Sequence, residues 1–179
     1  MCIEINDFFL GALASLIGSF VLVIFLFAFG KPKFKISREI AYLNTNEFGD
    51  DLKGSYLIKV TNRSFFISYD IKANIEKLIA YHVNNGTNDR SFDLELVDPT
   101  TNFLSGRNLF KNDGKNAFLF RTTEDLREIL KDSGTKVRFT LMARNGFSGL
   151  TKMFRQEYNT SSSVINGHFG FGKDFDIKQ

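Results

Sequence analysis

The sequence predicts a mainly β protein, in which a single N-terminal transmembrane helix precedes an antiparallel β-sandwich with one short helix. Three observations lead to this prediction: an uncharged apolar run near the N-terminus, later segments in which apolar and polar residues alternate, and turn residues between those segments. A period of two indicates strands with one buried face, and many such strands are typical of a sandwich. A closed barrel is the alternative that this pattern leaves open.

The apolar run covers residues 8–29 and contains neither a charged residue nor a proline. As a helix it would be about 33 Å long, and the hydrocarbon core of a bilayer is about 30 Å thick. We therefore expect one membrane-spanning helix. A cleavable signal peptide is the rival interpretation, but it needs a basic start, and Glu4 and Asp7 make this start acidic.

Basic residues follow the predicted helix directly, and none precedes it. By the positive-inside rule, the C-terminal domain then lies on the cytoplasmic side of the cell (inner) membrane. The same residues could bind the head groups of anionic membrane lipids, or they could simply set the topology. They are Lys31, Lys33, Lys35 and Arg38.

Small residues recur on one face of the predicted helix, where a second helix could approach closely. This pattern favours a homo-oligomer, although small residues are also common in membrane helices generally. The residues are Gly11, Ala14, Ser15, Gly18 and Ser19.

We divide the chain into the helix (1–30), a basic juxtamembrane segment with the first strand (31–54) and the sandwich (55–179). The clearest alternation places Ile67, Tyr69, Ile71, Ala73 and Ile75 on one buried face. Residues 100–116 are expected to be irregular, and a helix that a threonine can cap is expected to open at 122–126. The predicted strands are 56–61, 67–76 (with a continuation to 83 left open), 92–97, 117–121, 137–144, 150–158, 164–171 and 174–177.

Several short segments, in this order, resemble the cytoplasmic domain of inward-rectifier potassium channels. They are YLIKVTNR at 56–63, IKANI at 71–75, TTEDL at 122–126, VRFTL at 137–141, SGLT at 148–151 and INGHF at 165–169. The resemblance implies an immunoglobulin-like sandwich that assembles as a four-fold ring below the membrane, and hence a tetramer.

The chain departs from that family in its membrane part. The channels have two helices with a pore loop between them, whose backbone carbonyls replace the water shell of the ion. This sequence has one helix and no such loop, so the resemblance does not extend to potassium conduction. It implies only that a soluble ring senses a ligand and acts on the helices above it.

Catalysis has no supporting pattern in the sequence. The two histidines, His82 and His168, have no recognisable acid and nucleophile grouped with them. Cys2 is the only cysteine, so an intrachain disulfide and a cysteine-based zinc site are excluded. We therefore expect a protein that is not an enzyme and needs no cofactor or metal.

Four basic residues surround the predicted turn at Asn145-Gly146. If they converge, they could bind a small anionic ligand such as a nucleotide or a lipid head group; otherwise they form a solvated sheet face. The mixed charges elsewhere argue against a nucleic-acid polymer as partner. The four residues are Arg138, Arg144, Lys152 and Arg155.

Two functional hypotheses follow. In the first, the cytoplasmic sandwich senses a ligand or partner and oligomerises, and the helices form or gate a membrane pore; a bacterial antiviral effector would be one setting. In the second, the helix is a passive anchor for a protein-interaction module.

Overall fold

The computed structural model describes residues 2–44, 52–84, 86–108 and 114–178. Most of the polar end of the predicted juxtamembrane segment, residues 45–51, lies outside these ranges. The helices are α1 (Cys2–Phe29) and α2 (Leu126–Ile129). The strands are β1 (Phe34–Ile36), β2 (Ile40–Leu43), β3 (Ser55–Asn62), β4 (Ser68–Val83), β5 (Gly86–Leu94), β6 (Thr100–Leu104), β7 (Ala117–Thr122), β8 (Thr135–Asn145), β9 (Thr151–Tyr158), β10 (Val164–Asn166), β11 (His168–Phe169) and β12 (Ile177–Lys178).

Helix α1 carries the predicted apolar run. Its stretch Asp7–Phe29 has a mean hydropathy of 2.6, and none of that stretch is buried against the rest of the chain. Large side chains such as Phe8 and Leu16 are therefore exposed on all sides of the helix before its last turns. By length and composition α1 can cross a membrane, as the sequence predicts, and a bilayer would cover the apolar surface that the protein leaves bare.

Two sheets form the body of the protein. In the first sheet, β3 pairs with β7 along one edge and with both β2 and β1 along the other, and β10 adds in parallel to β2. In the second sheet, β9, β8 and β4 are successive antiparallel neighbours, and β5 and β6 share the far edge of β4. A separate hairpin of β11 and β12 follows near the C-terminus.

The two sheets face each other across one hydrophobic core. The rings of Phe120 in β7 and Phe139 in β8 lie 5.4 Å apart between their centroids, and both side chains are fully buried. Within the described ranges no strand pairing joins the two sheets, so the body is a sandwich and not a closed barrel. The predicted class, mainly β with one N-terminal helix, an antiparallel sandwich and one short helix, is confirmed.

The prediction of which residues are buried is wrong for the first residues of β4. Tyr69 is 42% exposed, whereas the polar Ser68 is fully buried. Asp70 has a φ of 50°, and the pairing with β8 shifts register between Tyr69 and Lys72. This β-bulge reverses the inward and outward positions, and such a bulge leaves no clear mark in the hydrophobic pattern.

Four other predictions of strand positions need correction. The last strand, expected at 174–177, is β12 at Ile177–Lys178. The strand expected at 92–97 is β5, which begins at Gly86 and ends at Leu94. The region expected to be irregular contains β6, whose residues pair with the first part of β4. The strand expected at 164–171 is divided into β10 and β11 by Gly167, whose φ of 129° only glycine adopts readily.

The short helix α2 is capped by Asp125, not by the threonines before it. The Asp125 carboxylate accepts hydrogen bonds from the Glu128 amide (3.0 Å) and the Tyr56 hydroxyl (2.6 Å). Thr122 is the last residue of β7, and its hydroxyl donates to the Glu95 carbonyl. The Tyr56 hydrogen bond is the main cause that lowers the pKa of Asp125 below its usual 3.8.

We expect Asp125→Ala to lower the free energy of unfolding by about 1–2 kcal/mol at neutral pH, because the cap is lost. The lowered pKa means that ionised Asp125 stabilises the fold above about pH 4, and that this contribution disappears as the pH falls through the folded pKa. Asp125→Asn is the matched variant, because asparagine still caps but cannot titrate. Thermal unfolding of the full chain in detergent at neutral and acid pH would show the difference.

The C-terminal segment is held on the outer face of the first sheet by Lys59. The Lys59 side chain in β3 is almost fully buried, and its ammonium donates to the carbonyls of Gly170 and Asp174, each at 2.5 Å. The rings of Phe169 and Phe175 lie within 6 Å of the same ammonium. Burial lowers the pKa of Lys59, and the charge of Asp174 partly offsets this.

Candidate functional site at the junction of helix and sandwich

The connection between α1 and β1 is packed into the sandwich. Gly30 and Pro32 are both buried, although only four residues separate the helix from the strand. The Gly30 amide donates to the Leu26 carbonyl at 2.8 Å, and the Ser148 hydroxyl donates to the Gly30 carbonyl. A Cβ atom at Gly30 would collide with both Leu26 and Ser148. These contacts hold the connection in one position, as a flexible linker would not. We call the packed connection at Gly30, with its contacts to Leu26 and Ser148, the joint.

Three aromatic rings extend this joint from the helix into the sandwich. The Phe25 ring on the helix meets the Phe147 ring edge to face, with 6.4 Å between centroids. Phe147, in the β8–β9 turn, stacks on Phe66 in the β3–β4 turn at 4.6 Å and an interplanar angle of 14°. The last turns of the helix are thus in contact, through Phe147, with two turns that belong to different strand pairs.

The β8–β9 turn is fixed by Asn145 and Gly146. The Asn145 side-chain oxygen accepts from the amides of Phe147 (2.9 Å) and Ser148 (3.1 Å), which places both residues against the helix. The Gly146 amide donates to the Ile67 carbonyl at 2.8 Å. A Cβ atom at Gly146 would strike Ile67, so glycine is required for the two turns to approach this closely.

The β3–β4 turn is fixed by Asn62, which is fully buried. Its side-chain nitrogen lies within hydrogen-bond distance of the carbonyls of Phe66 (3.0 Å), Ser105 (3.1 Å) and Leu104 (3.3 Å). Its side-chain oxygen accepts from the Ser64 amide at 3.0 Å. One asparagine therefore connects the turn that carries Phe66 with the end of β6.

No protein-family model matches the chain, and no curated protein matches it. The resemblance of its short segments to the inward-rectifier domain therefore stays a prediction. The joint is the feature that most clearly distinguishes this chain from a domain that is attached to its membrane helix by a flexible linker.

The four predicted lipid-binding residues divide into two pairs. Lys31 and Lys33 are exposed beside the end of the helix, and the Lys31 ammonium lies 5.1 Å from the Phe27 ring. Lys35 instead lies 4.2 Å over the Phe175 ring on the C-terminal segment, and Arg38 is in the turn between β1 and β2. The exposed Arg63 joins the first pair, because its amide donates to the Lys33 carbonyl.

The four predicted anion-binding residues do not all converge. Lys152 pairs with the buried Ala143 and so lies on the inner side of the second sheet, where its ammonium is 5.0 Å from the Phe154 ring. The three arginines lie on the outer face of that sheet. Arg138 and Arg144 are six residues apart on β8, a separation of about 20 Å along the strand.

Arg138 and Arg155 do meet at one site. They line an open cavity of about 420 Å³ on the outer face of the second sheet, together with Glu76 and Thr140. Arg138 is ion-paired with Glu157 at 2.9 Å, whereas Arg155 donates to the weak acceptor Met153 Sδ at 3.5 Å. Arg144 lines a separate cavity of about 270 Å³ and pairs with Asp70 at 3.1 Å.

The predicted helix-packing residues, Gly11, Ala14, Ser15, Gly18 and Ser19, are all exposed. Apart from the adjoining residues and the backbone of the helix itself, no atom of the described chain lies within 4 Å of a Cβ built on Gly11 or Gly18. The two histidines are far apart in sequence, and His82 is exposed with its Nδ1 atom 3.1 Å from the Thr87 hydroxyl. In the described part of the chain no group of acidic, histidine or cysteine residues could hold a metal ion.

Proposed function

We propose that the chain is a non-enzymatic, single-pass membrane protein whose cytoplasmic sandwich binds a ligand or partner and passes the change to the helix within a homo-oligomer. The observation that carries this proposal is the joint: the contact of Phe25 with Phe147 and the enclosure of Gly30 beneath Ser148. A passive anchor needs only a flexible connection. A packed connection makes helix orientation depend on the position of the β8–β9 turn.

The cavity lined by Arg138 and Arg155 is the ligand site that fits this proposal best. Strand β8 lines the cavity and continues from Arg138 to Asn145, which holds the turn against the helix. Among the described residues, the Arg155 guanidinium donates only to a thioether sulfur, which favours a small anionic ligand, such as a nucleotide or a phosphorylated head group. Binding there would act on the strand that leads to the joint.

The helix is the proposed contact between copies, and a pore or a disturbed bilayer is the proposed result of the change. We expect Gly18→Leu to reduce the assembled fraction of the full chain strongly, because a leucine there would hold two helices apart. The open space around Gly18 means that the substitution should not disturb a single chain. Leu13→Phe enlarges the opposite side of the helix and is the matched control.

The measurement is the mass of the full chain in detergent and in nanodiscs, determined by light scattering. The proposal requires an assembly of several copies that Gly18→Leu disperses and Leu13→Phe leaves intact. A strict monomer at all concentrations would overturn the proposed oligomer and the pore with it.

The alternative function, a tethered protein-interaction module, is favoured by the β4–β5 hairpin. Beyond the sandwich this hairpin has an open apolar cavity of about 680 Å³, lined by Ile79, Tyr81, Arg90 and Phe92. Tyr81 and Phe92 are 45% and 40% exposed. Exchange of α1 for an unrelated membrane helix discriminates the two functions: assembly is lost if the helix takes part, and is unchanged if it only anchors.

A further inference from the structure

The joint fixes how deep the sandwich lies relative to the proposed membrane. The span Asp7–Phe29 has 23 residues, which gives about 34 Å of helix, slightly more than a hydrocarbon core of about 30 Å. Phe25 lies four residues before the end of the span, about 6 Å along the helix axis. Because the Phe147 ring contacts the Phe25 ring, Phe147 lies near the level where hydrocarbon meets the head groups.

The two turns at this level expose large apolar side chains. Phe65 is 57% exposed, Phe147 51% and Leu150 37%. Phe65 directly precedes Phe66, which stacks on Phe147, so the β3–β4 and β8–β9 turns present their apolar residues at one end of the sandwich. Exposed aromatic residues there fit the boundary layer of a bilayer, where aromatic rings concentrate in membrane proteins.

Basic side chains lie at the same end. Lys31 and Lys33 follow the helix, and Arg63 precedes the β3–β4 turn; all three are exposed. The Arg63 amide bonds to the Lys33 carbonyl, which keeps these two residues adjacent. An apolar tip with neighbouring cations matches the inner surface of a membrane that contains anionic lipid.

We propose that the β3–β4 and β8–β9 turns insert their apolar side chains into the head-group layer of the bilayer that α1 spans. The occupant of this surface is therefore the protein's own membrane, because the surface is continuous with the end of the span. The inserted turns give the sandwich a second attachment to the membrane and set its tilt. The inference depends on the proposed membrane span of α1.

The chain has no tryptophan, so a single introduced tryptophan reports its own depth without background. The full chain is reconstituted in two kinds of vesicle, both made of phosphatidylcholine and phosphatidylglycerol with brominated acyl chains. In one kind the bromine atoms lie close to the head group (shallow), and in the other they lie near the end of the acyl chain (deep). Bromine quenches the emission of a tryptophan at the same depth. We expect Phe65→Trp and Leu150→Trp to lose about half of their emission to the shallow bromines, because side chains of an inserted surface reach about 5–10 Å into this boundary.

Two controls separate failure of this inference from failure of the span. Phe20→Trp, near the middle of the span, should be quenched most by the deep bromines. Tyr81→Trp, near the far end of β4, should keep its emission with either lipid, because it is about 40 Å along the strand from Ser68. Quenching of Phe20→Trp without quenching of Phe65→Trp and Leu150→Trp would overturn the insertion alone. Absence of quenching at Phe20→Trp would overturn the span as well.

Discussion

Replacement of Asn62 with leucine is expected to lower the free energy of unfolding by about 3–5 kcal/mol, because a buried hydrogen-bond hub is lost. The leucine side chain has the same branching and the same number of non-hydrogen atoms, but it cannot donate to the carbonyls of Phe66 and Ser105 or accept from Ser64. The Ser64 amide would then stay buried, and the two carbonyls partly buried, without the Asn62 side chain as their partner. We also expect the β3–β4 turn to lose its position against Phe147, which would loosen the joint.

The measurement for Asn62→Leu is chemical unfolding of the full chain in a mild detergent, followed by circular dichroism of the strands. The matched control is Asn74→Leu, because Asn74 is exposed and its side chain bonds, within the described ranges, only to the carboxylates of Glu76 and Asp93. That change should alter stability by no more than about 0.5 kcal/mol. An equal, small effect of both substitutions would show that Asn62 does not organise the turn.

Phe139→Ala is expected to lower the free energy of unfolding by about 3–5 kcal/mol, because it opens a cavity in the core. Phe139 is fully buried and packs against Phe120 across the gap between the sheets. The loss therefore removes contacts of both sheets at once. The same unfolding experiment gives the magnitude.

Two variants calibrate the Phe139 result. Phe139→Leu keeps most of the apolar volume and should cost less than about 1.5 kcal/mol. Leu119→Ala removes an apolar side chain that is 43% exposed on β7, and it should cost far less than Phe139→Ala. If Phe139→Ala cost no more than Leu119→Ala, the sheets would not share the core described above.

The hydrophobic pattern predicts much of this fold because burial imposes a strict period. Strand β8 is the clearest case: Val137, Phe139, Leu141 and Ala143 are all fully buried, as their alternation predicts. The pattern fails at Tyr69, because one bulged residue reverses the faces of the strand. The pattern also fails at β6, because the sequence of β6 lacks alternation. This strand forms because the edge of β4 is open to pairing there.

The sequence reveals less of the joint. Asn145-Gly146 is visible as a turn, but its contact with the helix depends on packing between residues more than 100 positions apart. Asn62 resembles any polar residue at a strand end, since its partners lie on the β3–β4 turn and at the distant end of β6. The anion site is predicted only in part. The sequence places its four basic residues on neighbouring strands, but the alternation of side chains along β9 puts Lys152 on the face opposite the three arginines.

The most direct test of the coupling between helix and sandwich is a distance distribution from paired spin labels. The labels are placed at Phe20→Cys in α1 and Met153→Cys in β9, both exposed sites, in a Cys2→Ser background that removes the only native cysteine. The full chain is measured in nanodiscs and diluted with unlabelled protein, beside a variant with a glycine-serine stretch inserted between Lys31 and Pro32. The account predicts one narrow distance for the native joint and a broad distribution for the insertion, whereas equally broad distributions would contradict it.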